Sequence, residues 1–464
     1  MNKLRAIAIA VWTLPLLGSS ALLAAGGSGA TASVAADREP FTRDFTPAEP
    51  EGFARYVVPS TTYVPESSVA RPSDAGVRAH TNYVLHTETQ GKPQPKAAPT
   101  PANTFAETPA SMGCVYGVGP AYAGCNPSTG GSNHPTGGWG AIAIVDAYDN
   151  PYAAYSLAYF SRYWGLPAAN FVKVYANGNG HCTTPPYDSG WALEEALDIE
   201  WAHVMAPAAK IYLVEACSSS YADLMYAELV AGNLVQNAAG GGLVSNSWGS
   251  GEFSGENGYD NYFRAYWVRV TYMVSAGDAG LGAEYPSSSP WVVSAGGTTV
   301  NRDASGNFVN ESCWAGSGGG TSAYEVWNDT FTGSYMGAWA DYQYPQFGKS
   351  ARRTPDLSFN ADPASGVWVY DYVNGGWYTV GGTSVSAPAL AGIINNAYNQ
   401  LGLAPPGGGY YAAMENRLLY SQLSAKTAYA TNFYDVTTGS NGSSAVTGWD
   451  YCTGVGTPRG FAGK

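Results

Sequence analysis

From Cys114 onward the chain alternates two patterns of apolar and polar positions. The runs at 140–148 (GAIAIVDAY), 210–216 (KIYLVEA), 242–249 (GLVSNSWG), 270–278 (VTYMVSAGD) and 291–297 (WVVSAGG) are short and β-branched, break at Gly, Asp or Ser, and predict strands. The stretches 151–164, 191–206 and 221–237 between them predict helices. Such alternation predicts an α/β fold, a doubly wound and mainly parallel sheet with helices on both faces. In sheets of this kind functional groups gather beyond the carboxyl ends of the strands, where Asp146, Trp248 and Asp278 stand. No period of about 20 to 50 residues recurs, so a solenoid or propeller is not supported. Residues 26–110 lack this patterning, and 90–110 is crowded with Pro, Ala, Thr and Lys. They read as a short, largely irregular pro-segment and linker ahead of one large domain at 111–464.

The N-terminus has a different pattern. A basic start, Met1 to Arg5, precedes an apolar run to about Ala25 that Pro15, Gly18, Ser19 and Ser20 interrupt. This predicts a secretory signal at 1–25 rather than a permanent span, and hence a secreted, extracellular protein with no membrane association after its removal. The six cysteines, an even number, then predict disulfides. Proximity suggests Cys114 with Cys125, and the remaining expectations are Cys182 with Cys217 and Cys313 with Cys452. No CxxC occurs, which argues against zinc. Only 12% of residues are charged and the net charge is -13. That balance disfavours nucleic acid and anionic membranes as partners.

The strongest local signal for chemistry is GGTSVSAPALAGIINNAYN from Gly381. Ser384 follows two glycines and a threonine and stands just before an apolar helix with Pro388 near its start, a place for an exposed hydroxyl beside helix-terminal N–H groups. The similar Gly320-Thr321-Ser322 lacks the proline and the helix and is read as a loop. A serine nucleophile needs a base. Of the five histidines, His80 and His86 fall in the pro-segment, His134 and His181 in Gly/Thr/Pro loops, and His203 on the last turn of a helix. The same helix, GWALEEALDIEWAHVMAPAA, carries Glu194 and Asp198 four residues apart on one face. Taken alone, this spacing also suits a solvated acidic face including Glu195 and Glu200.

Gly381 to Pro388, the Glu194–Asp198 helix, SNSWG at 245–249 and SAGD at 275–278 occur in the order and approximate spacing of the sedolisin family of serine-carboxyl peptidases, which this chain resembles over about 112–462. The resemblance implies a subtilisin-like fold and a secreted endopeptidase acting on proteins and peptides in acid, with a monomer as the expected state. Carried over by position, it implies Ser384 as nucleophile, Glu194 as base, Asp198 orienting Glu194, and Asp278 as oxyanion donor. Asp146 and Trp248 would extend the carboxyl network, and Ser247 and Gly249 would lie along extended substrate. A carboxyl that must donate a hydrogen bond needs its proton, so the rate maximum is expected at about pH 3 to 5. Near the C-terminus, YDVTTGSNG and AVTGWDYCTG resemble the family's calcium site. Carboxylates of Asp435 and Asp450 and carbonyls of Val436, Val446 and Gly448 would hold one structural Ca2+.

One departure concerns the leader, since 26–110 is about half the length of the family's folded pro-domain. Zymogen control therefore carries over less directly than the catalytic positions, with a mature start expected between about Thr100 and Gly113. Two rival readings are a secreted glycoside hydrolase using paired carboxylates, which leaves the Ser384 motif unexplained, and a catalytically silent peptidase-like binding protein.

Overall fold

The computed structural model describes residues 61–88, 93–100, 106–264, 269–326, 342–348, 351–401 and 411–464. The expected signal at 1–25 and the rest of the leader up to residue 60 lie outside them. All belong to one unit, Phe41–Lys464.

Strands, in chain order, are β1 (Thr62–Tyr63), β2 (His80–Thr81), β3 (Val84–His86), β4 (Ala141–Ala147), β5 (Asn170–Ala176), β6 (Lys210–Ala216), β7 (Gly242–Asn246), β8 (Trp248–Gly251), β9 (Val270–Ser275), β10 (Glu284–Tyr285), β11 (Val293–Arg302), β12 (Phe308–Cys313), β13 (Thr321–Val326), β14 (Ala351–Arg353), β15 (Leu357–Asn360), β16 (Val367–Asp371) and β17 (Gly376–Gly381). Four long helices matter here: α1 (Ala153–Trp164), α2 (Ser189–Met205), α3 (Tyr221–Asn233) and α4 (Thr383–Gln400). The main sheet runs β12-β11-β9-β7-β4-β6-β5, with β15 also on β11. Every pair in it is parallel except the β11–β12 hairpin.

Period-two alternation builds the two faces of this sheet. Ile142 and Ile144 of β4 join one core with Leu193, Leu197 and Trp201 of α2 and Leu390, Ile393 and Ile394 of α4. Ala141, Ala143 and Val145 face the other core, with Leu224, Met225 and Ala231 of α3. The doubly wound α/β expectation holds.

Helix α2 departs from the alternative of a solvated acidic face, because Glu194, Glu195, Asp198 and Glu200 are all fully buried. A helix buried on every side has no solvent stripe to carry ions, so these carboxyls belong to the interior. The Gly320-Thr321-Ser322 stretch is not a loop either. Thr321 and Ser322 begin β13, paired with β14, and the Ser322 hydroxyl contacts Glu252.

The stretch expected to be an irregular leader and linker is built into the main body where it is described. Strand β1 pairs with β3, β3 with β17, and β2 with β8, all antiparallel. All three expected disulfides are formed, Cys114–Cys125, Cys182–Cys217 and Cys313–Cys452.

Candidate active site

Ser384 is the second residue of α4. Gly382 before it has φ +101° and ψ 161°, a conformation that a side chain strongly disfavours. The amides of a first helical turn have no intrahelical partner, and that of Ser384 points at a backbone carbonyl, Asn82 O, at 2.8 Å. Pro388 removes the N–H that would bond the Ser384 carbonyl four residues back. That carbonyl lies 3.4 Å from the Ser247 hydroxyl instead.

The Ser384 hydroxyl donates to Glu194 Oε2 at 2.9 Å and also lies 3.2 Å from the Ser247 carbonyl. One helical turn on, Asp198 Oδ1 accepts from the Ser247 hydroxyl at 2.9 Å. Glu194 Oε1 and Asp198 Oδ2 are buried with no other donor. Two ionised carboxyls cannot persist side by side in such a place, and a shared proton resolves the conflict. Accordingly Glu194 is pushed well above the usual carboxyl range by burial and then by the charges of Asp198 and Asp146. Burial also raises Asp198, against hydrogen bonds from Ser247 and Glu194 that favour its ionised form.

Asp278 approaches from the end of β9. Its Oδ1 accepts from the Thr383 N–H at 2.7 Å and the Thr383 hydroxyl at 2.9 Å. Its Oδ2 is buried and unpartnered. Both Oδ2 and the Asn82 carbonyl oxygen border the space that a Cβ on Gly382 would fill. Burial raises Asp278 well above its ordinary value, against hydrogen bonds from Thr383 that favour its ionised form.

Asp146 is fully buried near the end of β4, and neither of its oxygens has a hydrogen-bond partner. Burial, Asp198 and Glu215 all raise it. The Trp248 indole N–H donates not to Asp146 but to the Val145 carbonyl at 2.9 Å. These two residues therefore lie behind the carboxyl pair without bonding each other. His203, the nearest imidazole on α2, is turned to the Pro167 carbonyl at 2.9 Å.

Sequence reasoning missed what fills the cleft. Residues 80–83 run through it as an extended peptide: His80 and Thr81 pair with Gly249 and Trp248, and the Asn82 N–H donates to the Ser247 carbonyl at 3.0 Å. The Asn82 side-chain amide donates to Ser275 Oγ at 2.8 Å, with Glu284 Oε2 at 3.4 Å. The Tyr83 hydroxyl donates to the Gly190 carbonyl at 3.0 Å. Ser275 was legible as part of the SAGD run. Asn82 and Glu284 carry no local signal, since their role follows from a strand addition between distant segments.

The subtilase family model matches residues 174–406, half of the chain. The chain belongs to the subtilase family. Within it the chain falls in the sedolisin group, by its motifs and its relatives. It is 28% identical over 356 residues to kumamolisin of Bacillus sp. (strain MN-32), covering 69% of this chain and 58% of that one. It is 30% identical over 218 residues to sedolisin of Pseudomonas sp. (strain 101), covering 40% and 33%. This subtilase thus spans less than two thirds of the length of those relatives. Pseudomonas sedolisin, solved with two molecules of pseudo-iodotyrostatin, superposes with a TM-score of 0.57 at 23% identity over 76% of this chain and 95% of that one, which establishes the shared fold.

In the same subtilase chain two of the proposed calcium residues, Asp435 and Gly448, meet at one hydroxyl. Tyr429 Oη stands 3.0 Å from Asp435 Oδ1, 3.4 Å from the Gly448 carbonyl and 2.9 Å from the Val455 carbonyl, three acceptors for one proton. Asp450, buried and raised by that burial, takes the Cys452 and Thr453 N–H groups. Among the described residues no cluster of three His, Cys, Asp or Glu side chains suits a metal. A two-carboxylate site must therefore be completed by carbonyls, as expected for a hard cation. The donor set expected from sequence, two carboxylates and three carbonyls, is oxygen throughout, the kind that Ca2+ takes.

Proposed function

We propose that the chain is a secreted serine-carboxyl endopeptidase that hydrolyses peptide bonds of proteins in acid. The observation that carries this reading is the Ser384 hydroxyl, 2.9 Å from a buried Glu194 carboxyl, while the Ser384 N–H holds the carbonyl of a peptide lying across the cleft. Ser384 Oγ attacks the carbonyl carbon and passes its proton to Glu194, with Asp198 keeping that carboxyl oriented. The developing oxyanion is held by the Ser384 N–H and the protonated Asp278. The C–N bond breaks as Glu194 returns the proton to the leaving nitrogen. Water, deprotonated by Glu194, then hydrolyses the ester and frees Ser384. Ser247 and Gly249 hold substrate as an added strand, and Asp146 and Trp248 close off the carboxyls from behind.

The bond so presented in this chain is its own Asn82–Tyr83. We read residues 61–82 as a pro-segment seated like substrate, whose cleavage frees the cleft and leaves Tyr83 as a new N-terminus, upstream of the start expected from sequence. Three disulfides support an extracellular location. Among the described residues no helix is long and apolar enough to cross a membrane.

A bound Ca2+ would neutralise Asp435 and Asp450 and tie the two C-terminal loops together, with the carbonyls of Val436, Val446 and Gly448 completing its shell. Chelation with EGTA near neutral pH is expected to lower Tm by a few degrees in wild type. Asp450→Asn should lower it in advance and leave EGTA without further effect. An EGTA-insensitive wild type counts against the ion.

The glycoside-hydrolase rival fares poorly, because Glu194 and Asp198 adjoin on one helix rather than flank a cleft about 5 to 10 Å wide. The deciding assay is casein digestion across pH 3 to 8. A maximum at about pH 3 to 5, absent in Ser384→Ala, is expected. A maximum above neutrality, or digestion unchanged in that variant, overturns the reading.

A further inference from the structure

Two side chains of the seated segment, His80 and Asn82, are alternate residues of an extended strand and so point to the same side. Both meet one carboxyl. Glu284 Oε2 is 3.4 Å from the Asn82 amide nitrogen, and Glu284 Oε1 is 3.8 Å from His80 Nε2. Ser275 Oγ completes the reception of the amide at 2.8 Å. Asn82 and Ser275 are fully buried and Glu284 is 4% exposed. No bulk water is there to replace a missing hydrogen bond.

The niche is shaped around that carboxyl. A Cβ on Gly249 would stand 2.8 Å from Glu284 Oε2, and one on Gly277 would stand 2.7 Å from Glu284 Cδ. Two glycines, one from the strand that pairs with the segment and one preceding Asp278, thus leave room for an acidic group where an ordinary side chain would exclude it. An acidic group in an otherwise dry pocket is costly unless something polar meets it. The carboxamide of Asn82 does so.

We propose that Glu284 and Ser275 make the pocket beside the scissile carbonyl amide-selective, so that the enzyme cuts after asparagine in preference to leucine or aspartate. This deepens the peptidase reading and rests on it. Leucine matches asparagine in size but removes the amide from the Ser275 hydroxyl and leaves the Glu284 carboxyl only its longer contact with His80. A site built to hydrogen-bond a group rejects an isostere that lacks it far more strongly than a hydrophobic pocket rejects an extra methylene. Aspartate would set two carboxyls against each other in a buried place, a conflict that the neutral carboxamide avoids. A histidine two residues upstream adds a second contact to the same carboxyl.

The test uses the full-length protein after incubation in acid, and peptides copying residues 77–88 with Asn, Leu or Asp at position 82. The assay pH is about 5, above the ordinary aspartate value. Cleavage before Tyr83 is read by mass spectrometry, with casein digestion run in parallel. The Asn peptide is expected to exceed the Leu peptide in kcat/KM by on the order of a hundredfold, and the Asp peptide by at least about tenfold. Glu284→Leu should shrink the Asn-to-Leu ratio by at least about tenfold, and Ser275→Ala should shrink it by a smaller factor. A misfolded variant would lower both rates and leave their ratio alone. Equal rates for Asn and Leu peptides in a wild type that digests casein, or a ratio that neither variant moves although both variants still digest casein at the wild-type rate, overturns the pocket assignment while sparing the peptidase reading. A wild type that digests neither casein nor any peptide removes both.

Discussion

Ser384→Ala is expected to lower kcat on a cleavable peptide by on the order of 10^6-fold, and Glu194→Gln by at least about 10^4-fold, with KM changed little. Both side chains touch the reacting atoms, whereas the contacts that hold a peptide in the cleft come mainly from backbone: the Ser247 carbonyl, the β8 ladder and the Ser384 N–H. Removing the hydroxyl removes the bond-forming atom. Replacing the Glu194 carboxyl by an amide keeps shape and a hydrogen bond but cannot take the proton. In the proposed relay of Ser384, Glu194 and Asp198, losing two members should cost little more than losing one. Steady-state kinetics on one peptide with the two single variants and the double variant checks this. Glu194→Gln at more than a tenth of the wild-type rate would dismiss the carboxyl as the base.

The second large effect concerns stability. Thermal unfolding of the inactive Ser384→Ala protein is expected to fall steeply as pH rises from about 4 to 8, the reverse of the common pattern in which stability is lost in acid. The cause is the number of carboxyls taken into the interior. Burial pushes Asp371 up to about 7, Glu215 to about 8 against the pull of Lys173 and Glu256 to about 9, and raises Asp146, Glu195, Glu200 and Glu228 as well. A carboxyl whose folded-state pKa lies above its unfolded one contributes stability that is complete below about pH 4 and disappears as pH climbs through the folded value. For Asp371 alone, a shift of about 3 units corresponds to about 4 kcal/mol lost between about pH 4 and 7. His86 and His203, held down by burial, work in the opposite direction, but they are two groups set against many. Calorimetry at pH 4, 6 and 8 decides: a Tm that rises toward pH 8 would mean that the interior acids are solvated or paired.

The sheet and its flanking helices were legible because strand and helix periods differ and each element buries a face. KIYLVEA became β6 with the same bounds, and the helix expected at 191–206 is observed at Ser189–Met205. Glu194 and Asp198 were visible as a pair four residues apart, although spacing could not tell a wet face from a buried one. That difference depends on α4 and β16 covering the helix, which is long-range packing. The short strands within the leader were not legible for a similar reason. Strands of two or three residues, such as β1 and β2, carry no period, and their conformation is dictated by the edges that they join. Glu284 was invisible because its neighbours, Asn82 and His80, are some 200 positions away in the chain.

The peptide lodged in the cleft is covalently joined to the cleft's own walls, with Val84 to His86 stitched onto β17 directly after the bond at Ser384. Such an occupant is present at an effective concentration fixed by the tether rather than by the amount of protein in solution. Diluting the protein cannot expel it. A first cut made in place would follow a rate independent of protein concentration, and afterwards the segment ending at Asn82 would be retained only by its own strand pairing and the Glu284 niche.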